Sequence, residues 1–270
     1  MTNSKKTILI TGASSGIGKA TALRFQSEGW NVVATMRDPS AGRDLERLDR
    51  VAVTRLDVTH ASTIDAAIAT AVTFGYRSSV AVERKVTAVE DARAALELMA
   101  TEIRMASYNP TFALNLWAPR CDGVGANQTY RGIQEATANN ITVQMDISEN
   151  SVIGDANEII RYSYDVGNQR ITRLVNCQGG AQPFLGDAVA NVNQRTVLVI
   201  NNDLNIPVFR YFNGSGLEIQ PETNPAVIPD IRRVDITLAV QTEHVDPNTN
   251  QRRTLIYSTS VIPRNHAPVM

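Results

Sequence analysis

Apolar and polar positions fall into two rhythms along this chain. Over the first 75 residues, short apolar runs alternate with stretches of helical period. Thr7 to Ile10, Asn31 to Thr35 and Val51 to Val58 have the length and composition of buried strands. Between and after them, Lys19 to Glu28, the region around Arg43 to Leu48, and Thr63 to Ala71 read as helices. This β-α-β-α-β-α order predicts a parallel sheet covered by helices. From Val82 the period changes. Val82, Val86, Val89, Ala92, Leu96, Met99, Ile103 and Ala106 recur at spacings of three and four, drawing one apolar stripe along an amphipathic helix. Glu83, Arg84, Glu90, Arg93, Glu97 and Arg104 lie off the stripe. Tyr108-Asn109-Pro110 ends the helix, because the residue before a proline is driven out of the helical region.

Beyond an irregular loop the period becomes two. Val234, Ile236, Leu238 and Val240 alternate with Asp235, Thr237, Ala239 and Gln241, as in a strand with one buried face. Ile141 to Met145, Glu158 to Tyr164, Gln169 to Val175, Thr196 to Ile200, Val208 to Phe212 and Thr254 to Val261 also read as strands. Turns at Asn213-Gly214-Ser215-Gly216 and Asp246-Pro247-Asn248 separate them. The expectation is one long helix followed by an antiparallel sheet.

Composition changes little in this picture. A net charge of −1 gives no reason to expect nucleic acid or an anionic membrane as partner. No stretch approaches the roughly 20 apolar residues that span a bilayer, and Gly12, Ser14 and Ser15 interrupt any signal-peptide core after the start. Cytoplasmic residence without membrane insertion is therefore expected. Cys121 and Cys177 are either a disulfide pinning loop to sheet or two free buried thiols. Asp146, Ser148, Asn150, Asp155, Asn157 and Glu158 offer oxygens to a cation. Ser151 stands where a calcium loop needs its central glycine, so a polar turn is preferred and no metal site is expected. His60, His244 and His266 share no metal or triad spacing and read as surface or loop residues.

The chemistry-bearing motif is Thr11-Gly12-Ala13-Ser14-Ser15-Gly16-Ile17-Gly18, between the first strand and the first helix. Glycines suit a phosphate-cradling turn, because positive φ and close backbone approach leave no room for Cβ. With Leu56-Asp57-Val58 at the end of the third strand, residues 7 to 75 resemble the opening of a short-chain dehydrogenase/reductase. The resemblance implies a nicotinamide dinucleotide held by Gly12, Ser14, Ser15, Gly16, Ile17 and Gly18, with Asp57 and Val58 at the adenine. Arg37 ends the second strand where NAD-specific members carry an acid, which implies NADP. The family's catalytic Tyr-x-x-x-Lys cannot occur here. The only lysines are Lys5, Lys6, Lys19 and Lys85, and none follows a tyrosine at that spacing. The Asn-Asn-Ala-Gly element is also missing, and the first strand is expected to be left as an open sheet edge.

The later stretch resembles another family. Ala94 to Ala106, Tyr162 to Arg173, Ile231 to Val240 and Thr254 to Asn265 are similar to the soluble part of prepilin-type minor pilins and pseudopilins of type IV pilus and type II secretion systems. That resemblance covers residues 77 to 265. It implies pilin-like subunits as partners if the family's apolar N-terminal helix were present, and no processing site for a prepilin peptidase is found. The expected fold is thus composite: a truncated α/β Rossmann-like half over residues 1–75, then a long helix packed on an antiparallel sheet (α+β, pilin-like) over residues 76–270. The seam falls between 75 and 80, where one continuous or Gly75-kinked helix could join the parts. The functional expectation is a non-enzymatic chain with no competent single function, its nucleotide binding weak and its catalytic residues absent. The alternative is an NADP-dependent oxidoreductase with an unorthodox active site.

Overall fold

The computed structural model describes residues 6–186, 197–243, 245 and 251–267, with side chains omitted at 78 and 81–85. The expected roles of Thr196, His244, the turn at 246–248, and the side chains of Val82, Glu83, Arg84 and Lys85 lie outside the described residues. The chain divides into two compact units, residues 1–86 with 245–251, and residues 87–244 with 252–270.

In the first unit, β1 (Thr7–Ile10), α1 (Gly16–Ser27), β2 (Asn31–Met36), a 3₁₀ turn (Pro39–Gly42), α2 (Arg43–Glu46) and β3 (Val51–Arg55) follow one another. The strands form a parallel sheet of order β1-β2-β3, with Thr7 opposite Asn31 and Val32 opposite Val51. β2 is central and buried at all six positions, and its middle reads as the short apolar run Val32 to Ala34. Its Val32, Ala34 and Met36 pack with Ile10, Ala13, Ala22 and Leu45, and Phe25, Leu48 and Val53 close the cluster. Among the described residues β1 pairs only with β2, so the expected open edge is present. The third strand ends earlier than its apolar run, at Arg55, leaving Leu56, Asp57 and Val58 in the turn beyond it.

Helix α3 (Ala61–Arg104) is a single element of 44 residues that passes from the first unit into the second. The two helices expected on either side of residue 75 are one, because nothing between Ala61 and Arg104 breaks the backbone ladder: the segment holds no proline, and its one glycine, Gly75, is helical. Within the second unit its buried face is Ala88, Ala92, Leu96, Met99 and Ile103, widened by Ala95 and Ala100. Val86 and Val89 of the expected stripe are half-buried.

Two antiparallel sheets follow where one was expected. The first is a meander of β4 (Ile133–Ala136), β5 (Asn140–Gln144), β6 (Ile159–Asp165), β7 (Arg170–Val175) and β8 (Gln178–Leu185), ordered as in the chain. The second contains β9 (Val197–Val199), β10 (Phe209–Phe212), β11 (Glu218–Ile219), β12 (Arg233–Thr242) and β13 (Thr254–Val261), ordered β11-β10-β12-β13 with β9 also on β12. Both sheets and the end of α3 share one core that includes Met99, Ile103, Ile141, Tyr162, Ile171, Phe209, Ile236 and Leu238. Strand periodicity reports burial but carries no record of which strands pair, so the division into two sheets was invisible in it.

Cys121 and Cys177 form a disulfide with Cα atoms 4.7 Å apart, tying the 109–127 segment to the β7–β8 turn. Leu116, Ile153 and Ile159, with Trp117 and Ala118, make a small apolar cluster beneath it. Glu135 is buried and is held by Arg161 Nε at 2.8 Å, Arg120 at 3.0 Å and the Thr142 hydroxyl at 2.7 Å, so its charge is compensated on three sides. The Asp146–Glu158 segment is a polar turn: Asp146 accepts the Asn150 and Ser151 amides, and Glu158 accepts those of Ser148, Gly154 and Asp155. Burial opposes ionisation of Glu158, but the Ser148 hydroxyl, which donates to it at 2.7 Å, and those amides outweigh it and hold its carboxyl below the usual range.

His266 corrects the expectation of surface histidines. It is fully buried, with Nδ1 2.7 Å from the Ser107 hydroxyl and Nε2 2.9 Å from the Ile228 carbonyl. Its partners lie 159 and 38 positions away, so only chain folding could reveal them. Burial, aided by the positive charges of Arg131 and Arg232, pushes its pKa down to about 4.

Candidate nucleotide site of the first unit

The three parallel strands bring their C-terminal ends to one side of the sheet, where ligands of open α/β sheets bind. The glycine turn follows β1, Arg37 follows β2 and Asp57 follows β3, so the motifs that sequence placed far apart share that edge.

The turn is built by backbone constraints. Gly12 and Gly16 adopt φ of +64° and +55°, a region costly for residues with Cβ. Gly18 is different: a Cβ there would lie 2.3 Å from the Gly12 carbonyl oxygen and 2.7 Å from its carbon. The loop therefore closes on the first turn of α1 with no space for a side chain. Ala13 is buried, and its amide donates to the Thr35 carbonyl at 3.0 Å, while the Thr35 hydroxyl donates to the Ile10 carbonyl at 3.2 Å. Thr35 thus staples the loop to the sheet. Sequence reading passed over it as an ordinary strand residue, although a threonine at the end of an apolar strand beside a glycine turn is a usable signal.

Ser15 caps α1 in extended conformation, and its side chain makes no capping bond. No acid stands in the first turn, so the leading N–H groups of the helix are left without side-chain acceptors. Ser15, Gly16 and Ile17 are exposed, Ile17 at 87 %, while Ser14 is half-buried. This is the geometry of an anion cradle: backbone donors, helix dipole and open access. Lys19 is drawn away to Asp44, 2.6 Å distant.

Arg37 is exposed in the turn after β2. Asp57 is half-buried and accepts the Thr59 amide and hydroxyl at 3.1 and 2.8 Å. Those bonds, with the positive charges of His60 and Arg37, hold its carboxyl below the ordinary range. Its own amide donates to the Thr63 hydroxyl oxygen at 2.9 Å, which fixes the turn into α3. Val58 is 75 % exposed and presents an apolar surface beside it. Among the described residues, no group of three or more His, Cys, Asp or Glu side chains could hold a metal ion. No described helix is long and apolar enough to cross a membrane.

Tyr76 is the sole tyrosine before residue 87 and is 70 % exposed on α3. Four others titrate above their ordinary range. A hydrogen bond to Glu149 raises Tyr108, and burial raises Tyr162, Tyr164 and Tyr211. None of these four is prepared to give up a proton near neutrality.

Comparison with known proteins bears on the same region. Residues 6–76 match the short chain dehydrogenase family. Serine 3-dehydrogenase of Agrobacterium fabrum (strain C58) is 56 % identical over 46 residues, 17 % of this chain and 16 % of that one. Short-chain dehydrogenase PC-15 of Penicillium crustosum is 45 % identical over 65 residues, 24 % of each. Sulfoacetaldehyde reductase of Chromohalobacter salexigens is 40 % identical over 72 residues, 23 % of this chain and 26 % of the relative. A solved short-chain dehydrogenase from Streptomyces avermitilis is 40 % identical, covers 26 % of either chain and superposes with a TM-score of 0.24. The chain spans between 16 % and 26 % of the length of these relatives. The family match and the three curated relatives are dehydrogenases and reductases, and they overturn the expectation of a non-enzymatic chain with no competent function. The missing Tyr-x-x-x-Lys removes one route for a proton and leaves the glycine turn of the first unit in place. The family binds NAD or NADP, and the first unit carries its N-terminal, Rossmann-like portion as a parallel sheet with the glycine turn in place.

Proposed function

We propose that the chain is an oxidoreductase of the short-chain dehydrogenase class and that its first unit binds the adenosine and pyrophosphate end of NADP(H). The observation that carries this reading is Gly18, whose missing side chain is what lets the loop close on the α1 N-terminus. In this reading the backbone of Gly12, Ser14, Ser15, Gly16, Ile17 and Gly18 cradles the pyrophosphate. Arg37 pairs with the 2′-phosphate, and Asp57 with Val58 borders the adenine. A bound nicotinamide supplies or accepts the hydride, and the chain's own groups position it and move the proton. With the usual tyrosine-lysine pair absent, Tyr76 is the phenol to test, although no lysine follows it at the family spacing. Turnover is accordingly expected to be slow.

The test is calorimetric titration with NADPH and NADH, paired with consumption of the reduced nicotinamide over a panel of aldehydes and ketones. Saturable NADPH binding with measurable turnover is expected. Arg37→Ala should weaken NADPH by about tenfold and leave NADH unchanged, the loss of one charge-assisted contact. Absence of turnover at saturating cofactor, across the panel, refutes the reading.

For the second unit we propose, at the level of fold, kinship with the soluble part of minor pilins and pseudopilins. The end of α3 over antiparallel strands and the Cys121–Cys177 bond support it. Its partners would then be pilin-like subunits. Superposition of an experimental structure of the chain on such proteins tests this, and a different strand order along α3 would refute it.

A further inference from the structure

Strand β13 is the outer strand of its sheet, paired with β12 on one side and, among the described residues, with nothing on the other. The pleat tells which backbone groups are open. The Thr242 amide donates to the Arg253 carbonyl, so position 253 faces β12, and by the two-residue period so do 255, 257, 259 and 261. On β12 the alternate positions turn away, Thr237 to Val208 and Ala239 to Asn201, as this register requires. The N–H and C=O groups of Thr254, Ile256, Ser258 and Ser260 therefore point out of the sheet. Edges are usually blunted by an internal charge, a proline or a bulge. The run Thr254–Val261 has none, and its register with β12 is unbroken.

Beside this edge lies an open groove of 620 Å³ between β13 and the exposed side of α3, lined by Arg93, Leu96, Ala100, Arg104, Tyr257 and Thr259 among others. Strand and helix run alongside each other in the same direction. The Arg93 guanidinium sits 5.6 Å from the Tyr257 ring centre, and just past the helix end Ser107 meets His266. Arg93 and Arg104 are separated by about 16 Å along the helix axis, and side chains at i and i+4 of an extended chain lie about 13 Å apart, a difference the long arginine side chains span. The charge around the edge is one-sided. Arg93 and Arg104 flank the groove on the helix, Arg252 precedes the strand and Arg264 follows it, all exposed and none in an ion pair among the described residues. Glu97 is the one carboxylate in the lining.

We propose that β13 takes on a further strand from a partner protein, an extended acidic segment. Its carboxylates at positions i and i+4 face Arg93 and Arg104, and an apolar residue at i+2 lies over Leu96, Ala100 and Tyr257. Main-chain bonds to Thr254, Ile256, Ser258 and Ser260 supply the docking, and the side-chain alternation supplies selectivity.

The full chain is titrated into a dye-labelled peptide Thr-Glu-Thr-Val-Thr-Glu-Thr, followed by anisotropy, against the same peptide with lysine in place of glutamate. Saturable binding of the acidic peptide is expected, with the lysine peptide weaker by at least about tenfold and the acidic peptide weakened by added salt. Ile256→Pro removes one outward donor without touching the β12 ladder and should weaken binding by about tenfold. The double change Arg93→Glu with Arg104→Glu leaves the backbone untouched and should reverse the preference between peptides, which keeps the test decisive if the proline variant does not fold. No binding, or equal binding of both peptides, overturns the proposal. So does sedimentation showing that the chain dimerises through β13, a dimer that Ile256→Pro abolishes, since the occupant would then be a second copy.

Discussion

Gly18 and His266 carry the two sharpest consequences of single side chains. At position 18 even a methyl group would stand 2.3 Å from the Gly12 carbonyl oxygen, a backbone atom that cannot swing aside. Gly18→Ala is therefore expected to cost about 1–3 kcal/mol in the first unit through overpacking and to abolish dinucleotide binding. A thermal melt and a cofactor titration on the same variant check both. His266 is neutral in the folded chain, with a pKa of about 4 against 6.5 when unfolded. Between those values the unfolded chain binds more protons, so stability is present above pH 6.5 and is lost as pH falls toward 4. The loss amounts to roughly 3 kcal/mol. Denaturant midpoints measured from pH 7 to pH 4 should fall accordingly, and His266→Gln should flatten that part of the curve.

At the scale of elements, α3 joins two stretches of different sequence character by helical continuity. Its weakest link is Gly75, where the absence of Cβ raises the entropy of the unfolded chain and lowers helix propensity. A Cβ there would meet the Thr7 hydroxyl oxygen at 3.4 Å, ordinary contact. Gly75→Ala is expected to stabilise the first unit by about 0.5–1 kcal/mol, read as a raised denaturant midpoint. A lowered midpoint would mean that α3 must bend at Gly75. The strands obey a different logic. β2 is buried at all six positions, and its two polar residues, Asn31 and Thr35, are buried with the rest. β12 and β13 alternate because one face meets the core and the other meets water.

At the scale of the whole molecule, a disulfide closes a 56-residue separation in the second unit. Chain-entropy reasoning assigns such a loop about 4 kcal/mol of stabilisation, acting on the unfolded state. Cys121→Ala with Cys177→Ala should lower the unfolding free energy of the second unit by up to that amount and leave the first unit unchanged. Unfolding monitored separately in each unit tests this, the Phe25–Trp30 pair reporting on the first and Trp117 on the second. A single shared transition would show that the two units are energetically one.

The sequence by itself determined what depends on near neighbours. Strands β1 and β13 were legible to the residue, and β2, β6, β7, β10 and β12 to within a residue or two, because each is a local period of burial. The glycine turn was legible because positive φ and close backbone approach demand one residue type. What it could not show depended on residues far apart. Strand β4 was hidden because it buries Gln134, satisfied by the backbone of Asn127 and Arg131, and Glu135, compensated by Arg161, Arg120 and Thr142. Strand β8 was hidden because its exposed Gly179 and Gly180 and its half-buried Pro183 give it no alternation to read. The burial of His266, the bond between Cys121 and Cys177 and the separation into two sheets were likewise settled in three dimensions. The partners of His266 lie 159 and 38 positions away and the two cysteines 56 apart, and a linear pattern records the burial of a residue but not the identity of what buries it.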